Sequence, residues 1–261
     1  MGILNADEVK LEIKKINKSY DGKKVLNDIS FSVKKGEFLA ILGLSGCGKT
    51  TLLRILIGLE KQDSGEIIKD GKEISELSPD NRGMGIIFQN YALFPNMTVL
   101  ENVEYALKLK TKSKEKARKA ALDTLEQLGL EEHLNKKPNH LSGGQQQRVA
   151  IARTLALNPD IILLDEPISA LDVTNREIMK QELKAIQKQF NTTMVFITHE
   201  QEEAFYLADR IMVMSEGNIE QIDTPYNIFQ SPKNQFVEDF VIAHLEQKYQ
   251  SLLKCTGRVK E

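Results

Sequence analysis

The sequence predicts an α/β protein built around a mostly parallel sheet. Continuous apolar runs at residues 38–42, 161–164 and 194–198 are typical of strands that are buried on both faces. Helical patterns follow these runs, and strands that alternate with helices favour a wound parallel sheet. The run at 38–42 also leads directly into a glycine-rich loop at 43–50, as in folds that bind phosphate at the end of a strand.

Two further regions differ from this core. Residues 8–40 alternate apolar and polar side chains around an Asp21-Gly22 turn, which predicts an N-terminal antiparallel β subdomain. Residues 89–158 predict an inserted α-helical subdomain, with one helix capped by Ser113 and another starting at Ser142. Shorter patterns near the end of this core predict helices at 175–189 and 201–208 and a hairpin formed by 211–214 and 219–222.

Composition limits the classes of protein to consider. The 261 residues are 41% hydrophobic and 28% charged, which is ordinary for a soluble globular chain. A net charge of −2 gives no basic field, so no nucleic-acid partner is expected. No apolar run is long enough to span a bilayer, no secretory signal is visible, and two cysteines form no disulfide framework. We expect a cytosolic chain whose membrane role, if any, depends on a partner.

The glycine-rich loop matches G-x-x-x-x-G-K-[ST], the pattern that surrounds phosphates with backbone N–H groups at a helix N-terminus. We predict that Lys49 contacts the β and γ phosphates and that Thr50 binds Mg²⁺. The predicted nucleotide-binding residues of this region are Gly43, Leu44, Ser45, Gly46, Cys47, Gly48, Lys49, Thr50 and Thr51.

Cys47 lies inside this loop and has two interpretations. It is either a small packing residue or an accessible thiol near the phosphates, where positive potential favours the thiolate. In the second case ATP would protect the thiol from alkylation.

Polar side chains follow three of the predicted strands. Asp165 and Glu166 end the run at 161–164, His199 follows that at 194–198, and Gln89 follows Gly85 to Phe88. Strand ends are where ligands bind in open α/β sheets. We predict that Asp165 and Gln89 are ligands of Mg²⁺, that Glu166 polarises the attacking water, and that His199 contacts the γ-phosphate.

A second anion site is predicted at Ser142. Ser142 is a good N-cap, and Gly143 and Gly144 leave the start of the next helix bare. Gln145 completes this short segment. Because the loop at 43–50 already surrounds one side of a triphosphate, a second copy of the chain would have to bring this segment to the other side.

Together these motifs resemble the ATP-binding cassette (ABC) ATPases over residues 9–240. The resemblance implies a P-loop NTPase (RecA-like) core, two ATP molecules with Mg²⁺, and a head-to-tail homodimer. Each ATP would lie between the loop of one chain and Ser142–Gln145 of the other. Tyr20 would stack on adenine, and Asp172, in the D-loop at 169–172, would act across the dimer interface.

The segment after Gln89 is similar to that of bacterial importers of polyamines, iron, sulfate, phosphonates and sugars. This similarity implies two integral membrane permease subunits, an extracytoplasmic solute-binding protein, and a peripheral position at the cytoplasmic face of the cell membrane. A permease helix would dock on an apolar cluster, with packing inside the chain as the alternative; the cluster is Leu93, Phe94, Met97 and Val99. The solute is left open.

The cassette is predicted to cover residues 1–240, followed by an amphipathic helix at 241–261 with too few residues for the regulatory β-domain of many such importers. This helix would pack on its own cassette or contact a partner. One alternative function is a soluble ABC ATPase acting as a mechanical switch in translation or DNA repair. Another is a nucleotide sensor without turnover, against which the complete set of Lys49, Asp165, Glu166 and His199 argues.

Overall fold

The structure is a computed structural model that describes residues 8–111, 113–169 and 171–256. It divides into two compact units. Of the described residues, 8–76 and 195–256 belong to the first unit, and those between 77 and 194 belong to the second.

An antiparallel sheet forms the N-terminal part of the first unit, as predicted. Its strand order is β2-β1-β4-β5, with bounds β1 (Val9–Tyr20), β2 (Lys23–Lys34), β4 (Ser64–Lys69) and β5 (Lys72–Glu73). Asp21 and Gly22 join β1 to β2 with φ of 49° and 77°, the left-handed conformation that a tight hairpin turn requires. Ile13 pairs with Phe31 across these strands, and both side chains are buried.

The remaining strands of the first unit run in the order β10-β9-β3-β8. Their bounds are β3 (Phe38–Gly43), β8 (Thr193–Thr198), which begins at the boundary of the unit, β9 (Arg210–Ser215) and β10 (Asn218–Asp223). Strands β3 and β9 are parallel, whereas β9 and β10 form the predicted antiparallel hairpin. Every residue of β3 and β8 is buried, so both are core strands. The helices here are α1 (Lys49–Ile57), α6 (Gln201–Leu207) and α7 (Pro225–Gln230).

The second unit contains the parallel strands β6 (Met84–Ile87) and β7 (Ile161–Asp165). Three helices lie between these strands in the chain, α2 (Val99–Thr111), α3 (Lys114–Gln127) and α4 (Gly143–Leu155), and α5 (Val173–Phe190) follows β7. Helices α2, α3 and α4 share an apolar core that includes Val103, Leu125 and Val149, all with no exposed surface. These three helices are the helical region that the sequence predicts within 89–158, with Lys112 outside the described residues.

Side-chain caps explain where three helices begin. The Ser113 hydroxyl accepts a hydrogen bond from Lys116 N–H at 3.3 Å and starts α3. Ser142 and Gln145 form a capping box at the start of α4. The Asp172 carboxylate accepts from Asn175 N–H at 3.1 Å and starts α5.

The C-terminal region is helical, with α8 (Gln235–Val237), a π-helical turn at Glu238–Ala243, and α9 (His244–Thr256). The rings of Phe236 and Phe240 stack with centroids 5.4 Å apart. Lys248 lies 3.5 Å from a carboxylate oxygen of Glu200 and 3.4 Å from one of Glu202. This region therefore packs on its own unit, as one of the two interpretations predicts.

The described residues end at 256, so residues 257–261 of the predicted tail lie outside the description. None of the helices in the described ranges is long and apolar enough to cross a membrane.

Candidate functional site

The loop between β3 and α1 is built by backbone conformation. Gly46 and Gly48 have φ of 83° and 104°, which non-glycine residues rarely adopt. Around Gly48 the space is also closed, since an added Cβ would lie 2.7 Å from Leu26 Cδ2 and 2.8 Å from the carbonyl oxygen of Val25. The Cys47 N–H donates to the Leu44 carbonyl oxygen at 3.3 Å inside the loop. The loop then leads directly into the N-terminus of α1, a position that fits a phosphate ligand.

Lys49 is the first residue of α1 and is almost fully buried. Its Nζ donates hydrogen bonds to the carbonyl oxygens of Gly43 at 2.7 Å and Leu44 at 2.9 Å. The ammonium group is therefore held against the backbone of its own loop, within reach of any anion that this loop binds.

The structure favours the interpretation of Cys47 as a small packing residue. Its side chain is buried, and burial raises the pKa of the thiol, although Lys49 opposes this effect. The predicted accessible, thiolate-favouring cysteine is therefore wrong: desolvation of the thiolate outweighs the positive potential of the loop.

His199 follows β8 and lines one pocket with Leu44 and Ser45 of the loop. The other walls of this pocket come from α6 and the C-terminal helical region: Glu200, Gln201, Asp239, Phe240 and His244. His199 Nε2 lies 3.8 Å from Glu200 Oε1. The first unit thus brings the predicted γ-phosphate contact beside the phosphate loop.

Tyr20, the predicted adenine-stacking residue, ends β1 with 42% of its surface exposed. The ammonium of Lys18 lies 5.0 Å from the centroid of the Tyr20 ring. This cation–π contact covers part of the ring without burying it. Stacking on adenine stays a prediction.

In the second unit, the side chains of Gln89 and Glu166 are in contact just beyond the ends of β6 and β7. Gln89 Nε2 donates to Glu166 Oε2 at 3.4 Å and to Ser169 Oγ at 3.1 Å. The Ser169 hydroxyl in turn donates to the carbonyl oxygen of Glu166 at 2.9 Å. Glu166 has φ of 46°, a strained conformation for a residue with a side chain. Asp165, one residue earlier, is the last residue of β7.

The start of α4 presents the predicted second anion site. Ser142 N–H donates to Gln145 Oε1 at 3.0 Å, and Gln145 N–H donates to Ser142 Oγ at 3.3 Å. Ser142 and Gly143 are exposed, and a Cβ added at Gly144 would meet no atom within 4 Å. An open, positively polarised helix end of this kind can receive an anion.

His133 contributes to this segment, although the sequence assigned it no role. Its Nε2 lies 2.9 Å from Gln145 Nε2, so the imidazole accepts from the amide. No sequence pattern indicates the contact, because His133 lies twelve residues away in a short 3₁₀ turn (Glu131–His133).

Asp172 has an immediate structural role as the cap of α5. Hydrogen bonds from Asn175 lower the pKa of the Asp172 carboxyl, with the backbone N–H contributing most and the side-chain amide next. Arg176 donates to the carbonyl oxygens of Leu171 at 2.8 Å and Ser169 at 3.1 Å, which orders the segment before the helix. Ala170 of the predicted D-loop lies outside the described residues. The action of Asp172 across a dimer interface stays a prediction.

The apolar cluster after Gln89 divides into two parts. Val99 is fully buried in the core of α2–α4, and Leu93 packs against that core. Phe94 stays partly exposed, and its ring centroid lies 4.9 Å from that of Tyr105. Packing inside the chain therefore accounts for Val99 and in part for Leu93, whereas Phe94 remains on the surface.

Within the described residues, no three His, Cys, Asp or Glu side chains group as a metal site. The predicted magnesium ligands are instead one hydroxyl, one amide and one carboxylate: Thr50, Gln89 and Asp165. This donor set fits Mg²⁺, which prefers oxygen ligands and keeps few protein ligands when phosphates supply the others.

Three comparisons with known proteins bear on this site. The family model described as ABC transporter matches residues 26–169. The spermidine/putrescine import ATP-binding protein PotA of Thermotoga maritima is 47% identical over 88% of this chain and 63% of its own length. PotA of Pasteurella multocida is 46% identical over 88% of this chain and 62% of its own length.

A solved structure, the dimeric post-hydrolysis state of the ATP-binding cassette MJ0796 bound to ADP and Pi, has 39% identity and a TM-score of 0.72. The match covers 82% of this chain and 98% of that one. The fold class predicted from the sequence is therefore confirmed. The match spans about 63% of the length of the first relative above. The family model and the cassette structure agree that this chain belongs to the ABC transporter family.

Proposed function

We propose that the chain is the ATP-binding and ATP-hydrolysing subunit of an importer. The observation that carries this proposal is the geometry of Lys49, whose buried ammonium is held by the carbonyl oxygens of Gly43 and Leu44 beside an anion-binding loop. The Cys47 sulfur also lies 4.0 Å from this ammonium. A buried positive charge held by such dipoles gains a full counter-charge when phosphate enters the loop.

In this proposal the loop binds the triphosphate through its N–H groups and Lys49. Thr50, Asp165 and Gln89 hold Mg²⁺, which neutralises negative charge on the phosphates. Tyr20 stacks on the adenine ring, for which its partly exposed aromatic face is suited.

Hydrolysis is assigned to three side chains. The Glu166 carboxylate polarises the attacking water, and the Gln89 amide, which already contacts Glu166, orients that water. His199 contacts the γ-phosphate from its position beside Leu44 and Ser45. Glu166 and His199 directly follow β7 and β8, and Gln89 lies two residues beyond β6.

The active form is proposed to be a head-to-tail homodimer with two ATP molecules. The start of α4 supports this, because Ser142 and Gly143 are exposed and a Cβ added at Gly144 would meet no atom within 4 Å. The positive end of this helix is therefore open to an anion. In the dimer, residues 142–145 close the nucleotide site of the partner, and Asp172 acts across the interface. The cassette in the matched solved structure is dimeric.

We further propose an importer with two permease subunits and an extracytoplasmic solute-binding protein, the chain lying at the cytoplasmic face of the membrane. The names of the relatives, which describe spermidine/putrescine import, support a polyamine as the solute. The same names favour transport over a mechanical switch in translation or DNA repair. Phe94, the exposed member of the apolar cluster, is the proposed permease contact.

The shared site can be tested by complementation. Lys49→Ala and Ser142→Arg should each abolish hydrolysis when tested alone. A mixture should regain it, because one site of the mixed dimer combines the intact loop of one chain with the intact Ser142 of the other. Phosphate release is measured for each variant and for the mixture.

A control mixture pairs Lys49→Ala with Lys49→Ala/Ser142→Arg, a combination that leaves no complete site. Activity in this control, or none in the complementing mixture, would contradict a shared site. Hydrolysis by the unmixed Ser142→Arg variant at the wild-type rate would contradict it as well.

A further inference from the structure

A strained bend follows Gln89. Tyr91 and Ala92 have φ of 59° and 44°, two consecutive residues with side chains in the left-handed region. Such conformations persist only where the surrounding structure holds them. Two tight backbone hydrogen bonds lie in the bend, from Tyr91 N–H to the Phe88 carbonyl at 2.8 Å and from Ala92 N–H to the Asn90 carbonyl at 2.7 Å.

One side chain outside the bend holds both strained residues. Arg153, in the last turn of α4, donates from Nη1 to the carbonyl oxygen of Ala92 at 2.6 Å and from Nη2 to that of Tyr91 at 2.9 Å. Its guanidinium also lies 5.6 Å from the centroid of the Phe94 ring. The planar fork of arginine suits this geometry, because its two terminal nitrogens reach two adjacent carbonyl oxygens while the guanidinium lies over the Phe94 ring.

The surroundings of Arg153 indicate that its main role is to order the backbone of the bend. Burial lowers the pKa of its guanidinium, so the group has lost part of its hydration. Its hydrogen-bond partners in the described chain are carbonyl oxygens. Removing a cation from water costs free energy, and hydrogen bonds to neutral carbonyl oxygens offset that cost only in part. The contacts of Arg153 therefore contribute chiefly by ordering the backbone that they bind.

A second clamp lies just beyond the bend. The fully buried Asn102 of α2 accepts from Phe94 N–H at 2.8 Å and donates to the carbonyl oxygens of Phe94, Met97 and Thr98. The chain after Phe94 is thus ordered independently of Arg153. The conformation that depends on Arg153 is therefore the bend that leads back to Gln89.

We propose that Arg153 is a positioning residue that holds the bend at Tyr91 and Ala92 and thereby keeps the Gln89 amide on Glu166 and Ser169. This inference rests on the proposed ATPase function for its catalytic consequence. Arg153 belongs to α4, the helix that begins at Ser142, so its hydrogen bonds join the bend to that helix within the second unit.

The test is a pair of variants with a designed rescue. Arg153→Gln removes the fork, and Arg153→Lys keeps the charge but not the two parallel donors. Hydrogen exchange of the Tyr91 and Ala92 amides should accelerate by roughly 10-fold or more in both, the factor expected when one left-handed residue loses its support. Adding Ala92→Gly to Arg153→Gln should restore much of the protection, since glycine adopts this conformation without strain.

Activity gives the second readout. Single-turnover ATP hydrolysis should fall about 10-fold in Arg153→Gln and recover with Ala92→Gly, while the ATP dissociation constant changes less than about 2-fold. Ala92→Gly alone is the matched control and should behave as wild type. The unfolding midpoint of each variant identifies any general loss of folding.

Unchanged amide exchange in Arg153→Gln would overturn the proposal. So would a loss of activity that Ala92→Gly fails to rescue. If the wild-type protein does not hydrolyse ATP but the exchange results hold, the proposed function fails and the structural role of Arg153 stands.

Discussion

The phosphate loop at 43–50 and the start of α4 both present a helix N-terminus to an anion, but they are built differently. In the loop, closed space and left-handed glycines fix the backbone, and Lys49 is buried against its own carbonyls. At α4 the helix end is exposed, and the side chains of Ser142 and Gln145 cap it.

The difference indicates how the two segments are used. A loop that is ordered by its own backbone can bind phosphate without help from another chain. An exposed, capped helix end binds an anion only when another molecule brings the anion to it. We therefore expect the loop of the first unit to set nucleotide affinity, and Glu166 and the start of α4 in the second unit to affect chiefly the rate of hydrolysis.

The largest expected effect is a loss of hydrolysis without a loss of ATP affinity. Glu166→Gln should slow hydrolysis by ~10²-fold or more, because the amide no longer polarises water as the carboxylate does. ATP affinity should change little, since affinity is assigned to the loop. Phosphate release and equilibrium ATP binding measure the two effects. An equal loss of both would remove the division between the units.

A matched pair of glycine substitutions sharpens the comparison. Gly48→Ala places a Cβ 2.7 Å from Leu26 Cδ2 at φ of 104°, so it should lower the free energy of unfolding on the order of 2–3 kcal/mol and weaken ATP binding. Gly144→Ala meets no atom within 4 Å, so stability should hold or rise by up to about 1 kcal/mol.

For Gly144→Ala the expected loss is functional, since the new methyl group would occupy space proposed for the partner's phosphate. Denaturant unfolding and phosphate release on both variants measure these outcomes. A Gly144→Ala variant as unstable as Gly48→Ala would show that the start of α4 is not open.

Local sequence signals predicted most of the fold. The caps at Ser113 and Ser142, the turn at Asp21-Gly22 and the apolar strand at 38–42 each carry a signal that tertiary contacts reinforce. The π-helical turn at Glu238–Ala243 was not predicted, because its apolar spacing also fits an ordinary amphipathic helix.

The parts of the site that the sequence missed depend on contacts between distant residues. His133 reaches Gln145 across twelve positions, and Arg153 reaches Ala92 across sixty-one. A motif names residues that are close in sequence, so it identifies the groups that face a ligand more readily than the side chains that hold them. Cys47 was ambiguous for a related reason: the balance between loop potential and burial depends on packing that a single sequence does not contain.

The smallest expected effect on stability concerns Cys47, whose labelling also tests whether the loop is as closed as its packing indicates. In a Cys255→Ser background, iodoacetamide at neutral pH should label Cys47 at least ~10²-fold more slowly than in the unfolded chain, because the thiol is buried. Its raised pKa keeps the thiol protonated in the folded state. The associated stability is complete below the unfolded pKa of about 8.5 and is lost as pH rises through the higher folded pKa. The unfolding midpoint should therefore fall at alkaline pH by more than in a Cys47→Ala/Cys255→Ser control, whereas rapid labelling at neutral pH would show that the loop opens.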